Sequence, residues 1–86
     1  MNVQDIGFKR TCFACPEQYD AVDVTTNKII GYLRLRHGHF AVTVPDVSGE
    51  LVYESYPSGD GCFEKDERTN ELINAALAIA DYYNGE

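Results

Sequence analysis

Cys12-x-x-Cys15 is the sharpest chemical spacing in the chain. Two thiols at this separation suit redox exchange or metal binding. In a redox protein the pair opens a helix after a buried strand, and the helix N-terminus lowers the thiol pKa. Here Pro16 follows at once, and the strand-like run from Gln18 argues against that helix. A structural zinc site needs four ligands. Only Cys62, His37 and His39 remain as soft donors, and they fall on separate elements. The reading is unligated thiols, with no metal and no cofactor. The alternative is a small zinc-binding domain built on Cys12 and Cys15. Three cysteines is an odd count; with no export signal they are expected reduced and intracellular.

Two other groups invite chemistry and are better read as structure. His37 and His39 flank Gly38, which makes them parts of a polar turn. Gly59-Asp60-Gly61, with Glu64 and Asp66 beyond it, lacks the oxygen-ligand spacing of a calcium loop. It reads as a crossover loop leading into an acidic helix start. No nucleophile–base or acid–base pair can be placed, so the expectation is a protein that is not an enzyme.

The element that positions these residues is Lys28 to Pro45, KIIGYLRLRHGHFAVTVP. A two-residue loop with glycine favours a hairpin, so His37-Gly38 is taken as the turn. Arg36 then faces His39, Leu35 faces Phe40, Arg34 faces Ala41, Leu33 faces Val42, Tyr32 faces Thr43 and Gly31 faces Val44. Side chains alternate between faces. Ile29, Leu33, Leu35, Phe40, Val42 and Val44 make a core face. Ile30, Tyr32, Arg34, Arg36, His39, Ala41 and Thr43 make an outer one. A slip of one residue would bury the arginines, which fixes the register.

Around this hairpin, residues 1–7 are a loose lead-in. Phe8 to Phe13, Gln18 to Val24 and Glu50 to Tyr56 read as strands, the last with Leu51 and Tyr53 on the core side. With Thr26-Asn27 as a loop, Val24 falls opposite Ile29 and Tyr19 opposite Arg34. Residues 57–63 break the sheet and cross over. From 64 to 84 the period is helical: Leu72, Ile73, Ala76, Leu77, Ile79, Ala80 and Tyr83 share a stripe. Glu64 or Asp66 is the expected cap. The fold expected for residues 1–86 is a single α+β domain, an antiparallel meander sheet of four to five strands with one C-terminal helix on one face.

Composition narrows the function classes. The chain has 86 residues and a formal net charge of −7. An acidic protein is poorly suited to nucleic acid, where affinity comes from phosphate neutralisation by Lys and Arg. No apolar run is long enough for a bilayer, and the N-terminus has no signal-peptide core. The expected location is the cytoplasm.

One helix can cover only one sheet face. The other is expected to expose Tyr19, Tyr32, Arg34, Arg36, His39, Glu54 and Tyr56. Aromatic and Arg residues are enriched at interface hot spots, so this face is the candidate binding surface for a protein partner or a second copy in a homodimer. The plain alternative has Arg34 paired with Glu54 and packed on Tyr19, a solvated surface. A further alternative is nucleotide or single-strand nucleic-acid binding, with Tyr and Arg as a stacking platform; the net charge counts against it.

The segments EQYDAVDV, GYLRLRHGHFAV, PDVSGELVYE and GDGCF, followed by an acidic helix, resemble a family of small uncharacterised proteins carried by phages and prophages of Gram-positive bacteria. The resemblance spans Phe8 to Ala80. It implies a setting, the bacterial cytoplasm during phage or mobile-element life, and brings no activity, cofactor or catalytic residue. By analogy it points to an accessory protein that binds or inhibits a host protein.

Overall fold

The computed structural model describes residues 1–64 and 66–85. The strands are β1 (Ile6–Cys12), β2 (Glu17–Asp23), β3 (Lys28–Arg36), β4 (His39–Val44) and β5 (Glu50–Ser55), followed by helix α1 (Glu67–Tyr83). The strands form one antiparallel meander in the order β1-β2-β3-β4-β5. The α+β fold is therefore a five-stranded sheet with a single C-terminal helix.

The central hairpin has the register its sequence dictates from Tyr32↔Thr43 through Arg36↔His39. His37 and Gly38 both have positive φ, 54° and 72°. That is the backbone a tight primed turn requires, and glycine adopts it without steric cost. The Gly38 amide also donates to the Asp60 carbonyl at 2.6 Å, which ties the turn to the crossover loop.

Two bulges change which residues face the core. Ala21 pairs with Gly31, but the next partner of β3 is Ile29, opposite Val22. Ile30 is the extra residue; it turns inward and is buried, while Ile29 turns outward and is 52% exposed. Likewise Val42 pairs with Tyr53 and Thr43 with Leu51, so Val52 is the extra residue. Val52 packs against the core and Leu51 is 48% exposed. An extra residue inverts the inside–outside alternation beyond it. Ile29 and Leu51, expected in the core, therefore belong to the outer face, and Ile30 belongs to the core.

Leu33, Leu35, Phe40, Val42 and Val44 form the sheet side of that core, with Tyr53 partly buried against it. Phe40 sits edge-to-face with Phe63 from the crossover loop and with Tyr53. On α1 the buried residues are Ala75, Ala76, Ile79 and Ala80, with Leu72 packed alongside. Small side chains let the helix lie close to the strands. The buried stripe is narrower than the apolar pattern, so Ile73 and Leu77 remain exposed. Tyr83 reaches back and donates its hydroxyl to the Ile30 carbonyl at 2.6 Å.

The helix begins at Glu67, later than the expected residue 64; Lys65, within that expected start, lies outside the described residues. Asp66 occupies the cap position but makes no side-chain cap bond. The Glu67 carboxylate instead accepts the amides of Ser58, Gly59 and Glu64, the last two at 3.1 and 2.9 Å. The first residues are not loose: Val3–Asp5 forms a 3-10 turn, β1 starts at Ile6, and the Asn84 side chain donates to the Met1 carbonyl at 2.8 Å.

Candidate functional site

The outer face is built in rows across the sheet. Lys9, Asp20, Tyr32, Thr43 and Leu51 lie in register as one row. Gln18, Arg34, Ala41 and Glu54 form the next. Arg36 and His39 close the face beside the turn. Among the described residues no helix or strand lies over these rows, because α1 and the N-terminal turn both pack on the other side. The face has two halves: a basic and aromatic half at the β3–β4 turn, and an apolar half at the opposite end, where the bulge has delivered Ile29 opposite Val22, and Val22 and Val24 flank Gly7.

Tyr19 is not on this face. It pairs with Leu33, is buried, and sits edge-to-face with Phe8 in the core. The β2–β3 connection and its bulge shift β2 by one residue from the expected register, which carries Tyr19 inward and places Gln18 opposite Arg34.

The same shift turns Glu17 into the core. Its side chain is fully buried, and every oxygen is used. Arg68 donates through Nε at 2.7 Å and Nη2 at 3.1 Å, the Phe63 amide donates at 3.0 Å, and the Tyr19 hydroxyl donates to Oε2. Arg10 adds its charge at 3.8 Å. Burial pushes the Glu17 carboxyl up, but the hydrogen bonds from Arg68, Tyr19 and Phe63 and the Arg68 charge outweigh it, taking the pKa down to about 2. Tyr19 goes the other way, to about 12, through burial and its bond to the Glu17 carboxylate. Glu17 is thus a buried anion that ties β2, the crossover loop and α1 together. No sequence motif marks it.

On the basic half, the His39 ring stacks on Tyr56 with centroids 5.1 Å apart. Its Nε2 lies 3.9 Å from Glu54 Oε2 and has no hydrogen-bond partner. The Tyr56 hydroxyl donates weakly to Glu54 at 3.3 Å. Glu54 therefore belongs to His39 and Tyr56, not to Arg34, which is separated from it by β4. Among the described residues neither Arg34 nor Arg36 has an ionic partner, whereas Arg10 and Arg68 are both committed to Glu17. Arg34, Arg36, His37, His39 and Ala41 line an open hollow of about 410 Å³. Arg36 and His37 also wall a second hollow, shared with Cys15, Pro16, Asp60 and Gly61.

The cysteines differ from expectation. Cys15 is joined to Cys62 in a disulfide with Cα atoms 5.5 Å apart, and Cys12 alone is free. The crossover loop folds back over the end of the sheet, where the Glu17 amide donates to the Gly61 carbonyl at 2.7 Å. This carries Cys62 to Cys15 across a sequence separation of 47. With Cys15 bonded, the Cys12/Cys15 zinc alternative loses a ligand. Among the described residues no three His, Cys, Asp or Glu side chains are grouped to share a metal ion. No helix among them is long and apolar enough to cross a membrane.

No protein-family model, curated protein or solved structure matches the chain. The functional reading therefore rests on the geometry of the sheet. Of the seven residues expected on the binding surface, Tyr32, Arg34, Arg36, His39, Glu54 and Tyr56 share the outer side and Tyr19 does not. The sequence pattern missed Ile29 and Leu51. The available signal was the apolar doublets Ile29-Ile30 and Leu51-Val52, which break strict alternation where the bulges occur.

Proposed function

We propose that this protein is a non-enzymatic protein-binding module that acts through the outer face of its sheet, on a protein partner or on a second copy of itself. The observation that carries the reading is that face itself: five strands wide and, among the described residues, uncovered, with Arg34 and Arg36 lacking an ionic partner at one end and Val24, Ile29 and Leu51 exposed at the other. Interfaces combine an apolar centre with Arg and aromatic anchors, and this face holds both. The resemblance to phage and prophage proteins supplies the setting of the proposal, an accessory factor that binds or inhibits a host protein.

Location is linked to thiol state. Disulfides persist in oxidising compartments and are rare in a bacterial cytoplasm. A chain resident in the cytoplasm would carry the Cys15–Cys62 pair reduced, and one in an oxidising compartment would carry it bonded. Nucleic-acid binding on the same face is disfavoured, because the Tyr32 row includes Asp20 and the Arg34 row ends in Glu54.

The test compares wild type with Arg34→Glu/Arg36→Glu by light scattering and by capture from host lysate. Loss of self-association, or of captured species, with an unchanged melting temperature is expected. A folded double variant with the same mass and the same captured partners returns this face to plain solvated surface.

A further inference from the structure

The basic half of the outer face is a small positive region on an acidic chain. Of its charged groups, Arg34 and Arg36 project from the same side of β3, two residues apart. That spacing is about 7 Å along a strand. Both line the open hollow, and the third polar wall is His39, whose Nε2 is buried and lacks a hydrogen-bond partner. His37 closes the hollow at the turn. A site with two guanidinium groups that have no ionic partner among the described residues is complementary to carboxylates, which Arg binds through paired N–H donors.

Net charge does not oppose this at short range. Charges farther apart than about 8 Å are largely screened at physiological ionic strength, and the acidic residues of α1 sit on the opposite layer. The acidic groups near the hollow are Glu54, engaged with His39, and Asp60 in the adjoining hollow. They bound the positive region, and that sets the size of the ligand. A long polyanion would run out of the hollow onto Glu54 and Asp20. Two carboxylates held about 7 Å apart fit within it, and an extended chain presents that spacing at alternate residues.

Resting on the binding-face reading above, we propose that the hollow formed by Arg34, Arg36, His37 and His39 recognises an extended acidic segment of a protein partner, with Asp or Glu at alternate positions. Arg34 and Arg36 each take one carboxylate, and the His37 and His39 rings wall the hollow beside them.

The experiment is fluorescence anisotropy with a labelled peptide of alternating Glu and Ser, a matched peptide of alternating Gln and Ser, and a labelled oligothymidylate. The variant is Arg34→Gln/Arg36→Gln, checked by circular dichroism and melting; single substitutions replace it if the double variant unfolds. Wild type is expected to bind the Glu peptide, to prefer it to both other probes, and to lose affinity as salt rises. The variant should bind it about tenfold more weakly, as loss of an interface anchor does. Equal binding of Glu and Gln peptides, equal binding by the variant, or preference for oligothymidylate overturns the proposal. If charge reversal at the Arg pair abolishes self-association or capture while the Glu peptide shows no preference, the acidic-segment inference falls and the binding-face reading stands. If neither depends on the pair, both fall.

Discussion

Arg68 on the first turn of α1 holds the buried Glu17 carboxylate of β2 through Nε at 2.7 Å and Nη2 at 3.1 Å. The two residues lie 51 apart in sequence, and their bond links the helix to the sheet end where the crossover loop also attaches. Glu17 is the one fully buried charged residue among those described, so its environment makes the fold sensitive to pH.

That sensitivity has a definite sign. The folded Glu17 pKa of about 2 lies below the ordinary 4.5. Its stabilisation is therefore complete above pH 4.5 and is lost as pH falls from there toward 2. The size expected is on the order of 3 kcal/mol. Tyr19 adds an alkaline limb: its pKa is raised from 10.0 to about 12, so stability falls as pH rises across that interval. Denaturant melts from pH 7 down to 2 check the acid limb, and Glu17→Gln should flatten it.

Arg68→Ala removes two hydrogen bonds to the buried carboxylate. Bonds to charged groups are worth about 1.5–3 kcal/mol. Arg68 is 40% exposed and Arg10 remains 3.8 Å from Glu17, so a loss near the lower end is expected. Urea midpoints of Arg68→Ala and Arg68→Lys measure it, and lysine should recover only part because it cannot bond both oxygens in a fixed fork.

Leu33 is completely buried at the centre of the core. Leu33→Ala should cost about 2–5 kcal/mol, enough to unfold much of a small domain. Ile29→Ser and Leu51→Ser, on the outer face and only about half buried, should cost about 1 kcal/mol, well below Leu33→Ala. Had the core followed strict alternation, Ile29 and Leu51 would behave like Leu33.

The Cys15–Cys62 bond predicts one free thiol per chain in protein denatured without reductant, and three after reduction. Closing a chain separation of 47 residues should stabilise the fold by about 2–4 kcal/mol. Thiol titration and melts with and without reductant check both. Three thiols before reduction in protein handled under oxidising conditions would contradict the pairing.

The readability of this fold varied along the chain for physical reasons. The β3–β4 hairpin was legible because a slip there would bury Arg34 and Arg36, and because His37-Gly38 supplies a turn that accepts positive φ. The helix was legible from its period. The bulges were not: one extra residue costs little in local propensity, yet it inverts every face assignment beyond it, as Ile29, Leu51 and Tyr19 show. Glu17 and Cys62 were illegible for a different reason. Each is defined by partners far away in sequence, Arg68 for one and Cys15 for the other, and neither pair has a local pattern. On the candidate surface, the cross-strand rows of β3 and β4 were readable, and the apolar half created by the bulges was not.

If the outer sheet face is the binding surface, a partner covers it and leaves the exposed side of α1 bare. Hydroxyl-radical footprinting of the chain, free and in the complex recovered by capture or self-association, tests it most directly. Tyr32, His39, Tyr56 and Leu51 report on the outer face, while Ile73, Leu77 and Tyr82 report on the exposed side of α1. Protection of the first group on binding and unchanged oxidation of the second are expected. Protection of Ile73, Leu77 and Tyr82 with an unprotected outer face would contradict the binding-face reading.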